Sequence, residues 1–238
     1  MITTSFEPVA ALDDALRRDM AALYLSMYDG SSAALFSRDL AKKDEVLLVH
    51  DGRALAGFTT FKVFEHEWRG ERVGVVYSGD TVVAREHWGQ QALAFDWISR
   101  MGAIKREHPT RPLYWLLLVK GHRTFRYLPL FAQSFWPHWS IDRSDLKPLA
   151  DALAIEMFPG DYDPDRGVVA FAESRGHLKP DIAMPTEAEA ARADVGFFLA
   201  RNPGYRRGHE LVCVAELEPH NMKPLTLRLF GKELHVYA

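Results

Sequence analysis

The sequence predicts an α/β (α+β) chain, with a mixed, mostly antiparallel sheet flanked by helices and followed by a C-terminal extension. Two glycine-containing dipeptides, Asp51-Gly52 and Arg69-Gly70, each separate two apolar runs and suit the positive φ angles of tight hairpins. The run Leu113-Tyr114-Trp115-Leu116-Leu117-Leu118-Val119 has no polar alternation, as in a strand covered on both faces, and it follows a helical stripe, which implies parallel pairing. Elsewhere apolar residues recur every three or four positions, the spacing of amphipathic helices.

Taken in order, Leu12, Leu16, Met20, Leu23 and Met27 define a helix over residues 12 to 28. Ser31 or Ser32 can cap a second helix carrying Leu35, Phe36 and Leu40, closed by Lys42-Lys43 at its negative end. Residues 45 to 83 then read as three antiparallel strands. Trp88 to Ile104 is predicted as a long helix, with Trp88, Ala92, Phe95, Ile98 and Met101 on one stripe. Arg123 to Phe135 returns to helical spacing, kinked or restarted by Pro129, which lacks an amide donor. Further on, a helix is expected over Leu146–Phe158, a short strand over Val168–Ala172 and a helix over Glu187–Ala200. Strands are expected over Leu211–Ala215 and Leu225–Phe230. The expected organisation is a core over residues 1–140 with residues 141–238 packed on it.

Size and composition narrow the function. The 238 residues allow one enlarged domain, and 47% hydrophobic with 26% charged residues is a globular balance. With 29 Lys and Arg against 32 Asp and Glu, the net charge of −3 offers no excess to neutralise a phosphate backbone, so nucleic acid is not the expected partner. No apolar run approaches the roughly 20 residues of a membrane span, and the first residues lack a basic start and a greasy stretch. A cytoplasmic protein is expected. The single cysteine, Cys213, lies among Leu211, Val212 and Val214 and reads as a buried, inert thiol.

The junction Val82-Val83-Ala84-Arg85-Glu86-His87-Trp88-Gly89-Gln90-Gln91-Ala92 joins a strand to a helix, and Lys120 to Tyr127 leads from a second strand into another. In this order of elements residues 10 to 140 resemble the GNAT superfamily of acyl-CoA-dependent N-acyltransferases. The resemblance implies a sheet that splays between its fourth and fifth strands. It also implies an acyl-CoA thioester as co-substrate, with no tightly bound cofactor, and a small-molecule amine as acceptor; the pattern Tyr114-Trp115 through Phe135-Trp136-Pro137 resembles uncharacterised GNAT-like proteins and the N-acyl amino acid synthases, which implies an acyl carrier protein thioester as the other donor. Val82 and Val83 would align the pantetheine arm. Gly89, Gln90, Gln91 and Ala92 would stand where the family's loop presents amides and a helix dipole to pyrophosphate. Gln91 occupies the position of a closely approaching glycine, so the glycine signature itself is missing. Tyr127 stands where a phenol protonates the departing thiolate. A strand interrupted by Ser78-Gly79-Asp80 matches the family's bulge, and Asp80 could take the amine's proton; Glu86 and Glu65 are weaker candidates.

Each of these positions also has a plainer reading: Tyr127 as one aromatic of a core cluster, Asp80 as a turn residue, Gly89 to Ala92 as an ordinary helix start. A non-catalytic ligand-binding or interaction protein on a degenerate GNAT scaffold is the alternative function. Arg100, Lys105, Arg106 and Arg111 could meet an acidic carrier. Trp136 and Trp139 could line a lipid-sized pocket or seal a homodimer. No His-Glu-x-x-His pair or comparable metal-ligand spacing occurs, and Asp161 to Asp165 lacks the glycine and glutamate of a calcium loop.

Overall fold

A computed structural model describes residues 1–232. β1 (Ile2–Pro8) leads into α1 (Asp14–Met27), the two-residue strand β2 (Tyr28–Asp29) and α2 (Ala33–Leu40). The meander β3 (Glu45–Asp51), β4 (Ala54–Trp68) and β5 (Glu71–Val83) follows, then α3 (Ala92–Glu107), β6 (Leu113–Val119), α4 (His122–Phe125) and α5 (Tyr127–Phe131). Next come α6 (Lys147–Met157), β7 (Tyr162–Asp163), β8 (Val168–Val169), β9 (His177–Leu178), α7 (Pro180–Ala183) and α8 (Glu187–Ala190). The described chain closes with α9 (Ala193–Arg201), β10 (Glu210–Glu216) and α10 (Pro224–Phe230).

One eight-stranded sheet runs β1-β3-β4-β5-β6-β10-β8-β7, while β2 and β9 pair separately. Among the described residues only β5 and β6 are parallel; every other neighbouring pair in this sheet is antiparallel. The hairpins form where glycine permits them, with Gly52 at φ 60°, and Arg69 and Gly70 at φ 52° and 81°. Asp13 accepts the Leu16 amide at 2.7 Å and Ser32 accepts that of Leu35 at 3.1 Å, so α1 and α2 begin at their caps.

Alternation along β6 divides the core. Leu113, Trp115, Leu117 and Val119 face α3 and α5, whereas Leu116 and Leu118 face α6. The α1–α2 pair covers Val46, Leu48, Phe58 and Val82 on the face opposite α3. α3 also packs on α10 so closely that a Cβ at Gly102 would lie 1.8 Å from the Phe230 carbonyl oxygen. Gly102→Ala is therefore expected to push the two helices apart and cost about 1–3 kcal/mol, read as a lower urea midpoint at unchanged m-value.

Several expectations need correction. Residues 2–8 form an edge strand on β3. Trp88 lies outside α3, because Gly89 at φ 87° breaks the run and the helix starts at Ala92. The stretch from Arg123 splits into α4 and α5, and that from Glu187 into α8 and α9. Leu225–Phe230 is helical, with Pro224 at its first position, a place that suits a residue without an amide donor. Residues beyond 140 contribute β7, β8 and β10, and β10 pairs directly with β6. No helix among the described residues is long and apolar enough to cross a membrane.

Candidate active site

β5 and β6 pair from Gly74 with Leu113 to Ser78 with Leu117, and no further. Beyond Ser78, β5 bonds only to β4; beyond Leu117, β6 bonds only to β10. The two strands part, and their unbonded edges open a gap through the middle of the sheet.

A bulge sits at the point of parting. Phe61 pairs with Ser78 but Thr59 pairs with Thr81, so β5 has one residue more than β4 across this stretch. The extra residue switches the faces of the strand. Val76 faces α3 whereas Val82, an even number of positions on, faces α1 and α2. Tyr77 and Asp80 consequently line the same cavity, although simple alternation would set them on opposite faces. Gly79 is required there: a Cβ would lie 2.4 Å from Cε of Lys43 and 2.5 Å from Oγ1 of Thr60.

Three spaces meet at this gap. The first, about 710 Å³, is lined by Tyr24 of α1, Tyr28 of β2, Tyr77 and Asp80 of β5, Lys120, and Glu210 of β10. The second, about 1100 Å³, opens on the other side past Val82, Val83, the loop His87–Gln91, His122, Arg123 and Tyr127. Between them lies a chamber of about 20 Å³. Thr81 and Thr124 line all three.

The first cavity is heavily charged. Lys120 and Glu210 approach to 3.3 Å with side chains 14% and 11% exposed, and buried Lys43 bonds Asp39 at 2.5 Å. Asp80 has no hydrogen bond or ion pair among the described residues, and Arg38, Lys42 and Arg175 line the cavity too, against Asp161 and Glu173. Burial raises the Asp80 carboxyl to about 6, with Asp39 adding to the rise and Lys120 and Lys43 opposing it. Burial acts against the Lys120 ammonium, but Glu210 and Asp80 hold its pKa above the usual lysine value. Burial also pushes the Tyr24 phenol up to about 12 and raises Tyr28 and Tyr77. Tyr24 and Tyr28 stack at 4.3 Å, with the Lys120 ammonium 5.6 Å from the Tyr28 ring.

The strand order, the single parallel pair and its parting decide the fold. It is GNAT-like. No family model matches the sequence, and no curated protein matches it either. Among solved structures, a conserved protein of unknown function from Enterococcus faecalis V583, described as a probable N-acyltransferase, aligns at 13% identity and TM-score 0.43. That alignment covers 66% of this chain and 44% of the other, so the chain spans less than half of that protein. Ribosomal-protein-alanine N-acetyltransferase from Brucella melitensis biovar Abortus 2308 aligns at 15% identity and TM-score 0.42, over 60% of this chain and 99% of that one. A GNAT family N-acetyltransferase from Escherichia coli in complex with CoA aligns at 14% identity and TM-score 0.38, over 53% and 68%. The GNAT-like character lies in the sheet: its strand order and the parting of β5 and β6.

The site residues expected from sequence divide between the two sides of the gap. Asp80 lines the first cavity; Val82, Val83, Gly89, Gln90, Gln91 and Tyr127 line the second, and Tyr127 also borders the chamber. Ala92 opens α3. Phe95 donates to the Gln91 carbonyl at 2.9 Å, so the amides of Ala92, Leu93 and Ala94 precede the first helical bond. Gly89 is open, with nothing within 4 Å of a would-be Cβ, and the Gln91 side chain makes no capping bond. This helix end can therefore receive an anion despite the missing glycines. Burial raises the Tyr127 phenol, and its ring stacks on Phe131 at 5.8 Å.

The weaker candidates lie elsewhere. Glu65 pairs with Arg111 and Arg72, and Glu86 is exposed on the 3-10 turn after β5. The expected cationic patch is engaged within the chain: Arg100 bonds Glu45, Lys105 bonds Glu218, Arg106 bonds the Phe230 carbonyl and Arg111 bonds Glu65. Trp136 is buried and cannot seal a dimer, while Trp139 lines the second cavity. Cys213 is buried, with its thiol pushed up by burial.

Sequence reasoning missed Tyr24, Tyr28, Lys120, Glu210 and His122. Lys120 and Glu210 had a readable signal, being charged residues at the ends of apolar runs, Lys120 just after β6 and Glu210 at the first position of β10. His122 is 1% exposed and lines the second cavity, with Nε2 3.6 Å from Glu189 and neither ring nitrogen in a hydrogen bond among the described residues. Burial and the neighbouring Arg123 lower its pKa, which keeps the ring neutral near pH 7.

Proposed function

We propose that the protein transfers an acyl group from a CoA thioester to an amine. The observation that carries this reading is the gap between β5 and β6, with a lone buried carboxylate on one side and a buried phenol on the other. The thioester arm would lie in the larger cavity along Val82 and Val83, its phosphates toward the free amides of α3. The amine would enter the smaller cavity, where the buried Asp80 carboxyl has no bonded partner among the described residues and can accept from an ammonium.

Asp80, ionised above about pH 6, takes the proton that frees the nitrogen lone pair. The nitrogen attacks the thioester carbonyl; the C–N bond forms and the C–S bond breaks. Tyr127, kept protonated by its raised pKa, gives its proton to the leaving thiolate and recovers one from the amide nitrogen as that nitrogen becomes neutral. Amine and thioester become amide and thiol, with one net proton released from the ammonium.

Thermal-shift titration with CoA and acetyl-CoA tests the reading. Ligand at a hundredfold excess over Kd is expected to stabilise the fold by about 2.7 kcal/mol. Absence of a shift with either would favour the non-catalytic alternative.

A further inference from the structure

We infer that Lys43, a residue with no part in the chemistry above, is a positioning residue for Asp80 and keeps that carboxyl able to ionise from across the bulge in β5. That this ionisation starts a transfer rests on the acyl-transfer reading above.

Lys43 follows α2, and its ammonium bonds Asp39 Oδ2 at 2.5 Å. Its side chain is 1% exposed, whereas that of Lys42, one residue earlier, stands in water. A lysine that served only the negative end of α2 could stay in water as Lys42 does, and burying an ammonium is costly. What Lys43 gains by burial is an approach to β5. Its Nζ lies 5.1 Å from the centre of the Tyr77 ring and would lie 3.2 Å from a Cβ at Gly79, the residue just before Asp80. Only a residue without a side chain lets Lys43 come so close to the bulge.

The charges around Asp80 show what the approach does. Asp39 and Glu210 line the same cavity, and carboxylates gathered in one site hold each other's protons on. Each of these two is matched by a lysine, Glu210 by Lys120 at 3.3 Å and Asp39 by Lys43. The phenols of Tyr24, Tyr28 and Tyr77 are kept uncharged by burial. Arg38, Lys42, Glu173 and Arg175 are exposed to water, which screens them, and Asp161 lies 3.9 Å from Arg175. Against burial, which raises Asp80 to about 6, the opposing cations are Lys120 and Lys43, while Asp39 adds to the rise. Deleting the charge of Lys43 should therefore move Asp80 one way, and deleting that of Asp39 the other.

Two readouts test this: the titration of the Asp80 carboxyl by carboxyl-carbon NMR, identified by its absence from Asp80→Asn, and the pH profile of thiol release from acetyl-CoA. Lys43→Met keeps the stem beside Gly79 and removes the charge. Its midpoints are expected to rise by about one unit, so that the rate falls about tenfold at pH 5 and is nearly unchanged at pH 8. Asp39→Asn is expected to lower both midpoints, and the double variant to bring them back toward wild type. A purely structural role would lower the plateau and leave the midpoints in place. Should Lys43→Met fold poorly, Asp39→Asn carries the test from a half-exposed position. A carboxyl midpoint that folded Lys43→Met does not raise, or that Asp39→Asn does not lower, overturns the inference and leaves the acyl-transfer reading standing. Midpoints that move as expected in a protein that releases no thiol from any CoA thioester overturn that reading and leave the hold of Lys43 on Asp80 intact.

Discussion

Tyr127→Phe is expected to lower the rate of thiol release by about 10²–10⁴ while the acetyl-CoA affinity stays within a small factor, because the change deletes one hydroxyl and nothing else. Phenylalanine keeps the ring stacked on Phe131 at 5.8 Å, so packing at the start of α5 is preserved. The proton would be the only thing lost. Burial raises the phenol's pKa, so the wild-type acid stays protonated through neutral pH and its rate should show no loss on that account up to at least pH 9. Stopped-flow or colorimetric thiol assays with an amine panel read both effects. Wild-type rates in the variant would remove Tyr127 from the reaction.

Asp80→Asn is expected to show two opposite effects. The rate should fall by about 10² or more, since the variant cannot take a proton, and the rise of wild-type activity through about pH 6 should vanish. Stability should increase. The folded carboxyl titrates at about 6, above its ordinary 3.8, so the native state holds a proton that the unfolded chain has already released between these values. Wild-type stability therefore declines as pH rises from about 4 to about 6 and stays lowered above that. Asparagine escapes the penalty, a gain of about 2–3 kcal/mol at pH 7.5 that disappears below pH 4. Urea unfolding at the two pH values measures it; a variant less stable than wild type at pH 7.5 would contradict the account.

Much of the scaffold is legible in the sequence, for local reasons. Asp51-Gly52 and Arg69-Gly70 need positive φ, Ser32 caps α2, and the apolar run from Leu113 to Val119 has no polar face to expose. What escapes depends on distant partners. β10 takes its place beside β6, about ninety residues earlier, and nothing near Leu211 announces that pairing. Leu225, Leu227 and Leu229 alternate as a strand would, yet the contact between Phe230 and Gly102 suits a helix. The site divides in the same way. Asp80 lies where Ser78-Gly79-Asp80 visibly breaks an apolar strand and Tyr127 follows a readable strand by eight residues, whereas the cavity around Asp80 draws Tyr24, Lys120 and Glu210 from three distant stretches of the chain. The missing glycines after Gly89 mislead for a different reason: the amides of Ala92, Leu93 and Ala94 are free whatever side chains they carry.

The single supernumerary residue of β5 bears on how this chemistry could be lost. Which substrate Asp80 confronts is decided by counting, odd or even, from the last bond to β6. Exchanging one amino acid for another nearby leaves that count intact, and a strand could drift far in composition while still aiming its acid correctly. Removing Gly79 would put Asp80 two positions from Tyr77 and so, by plain alternation, on the same face, whereas drawing the extra residue out straight with the length of β5 kept would turn the carboxylate toward α3 and leave the amine facing a blank wall.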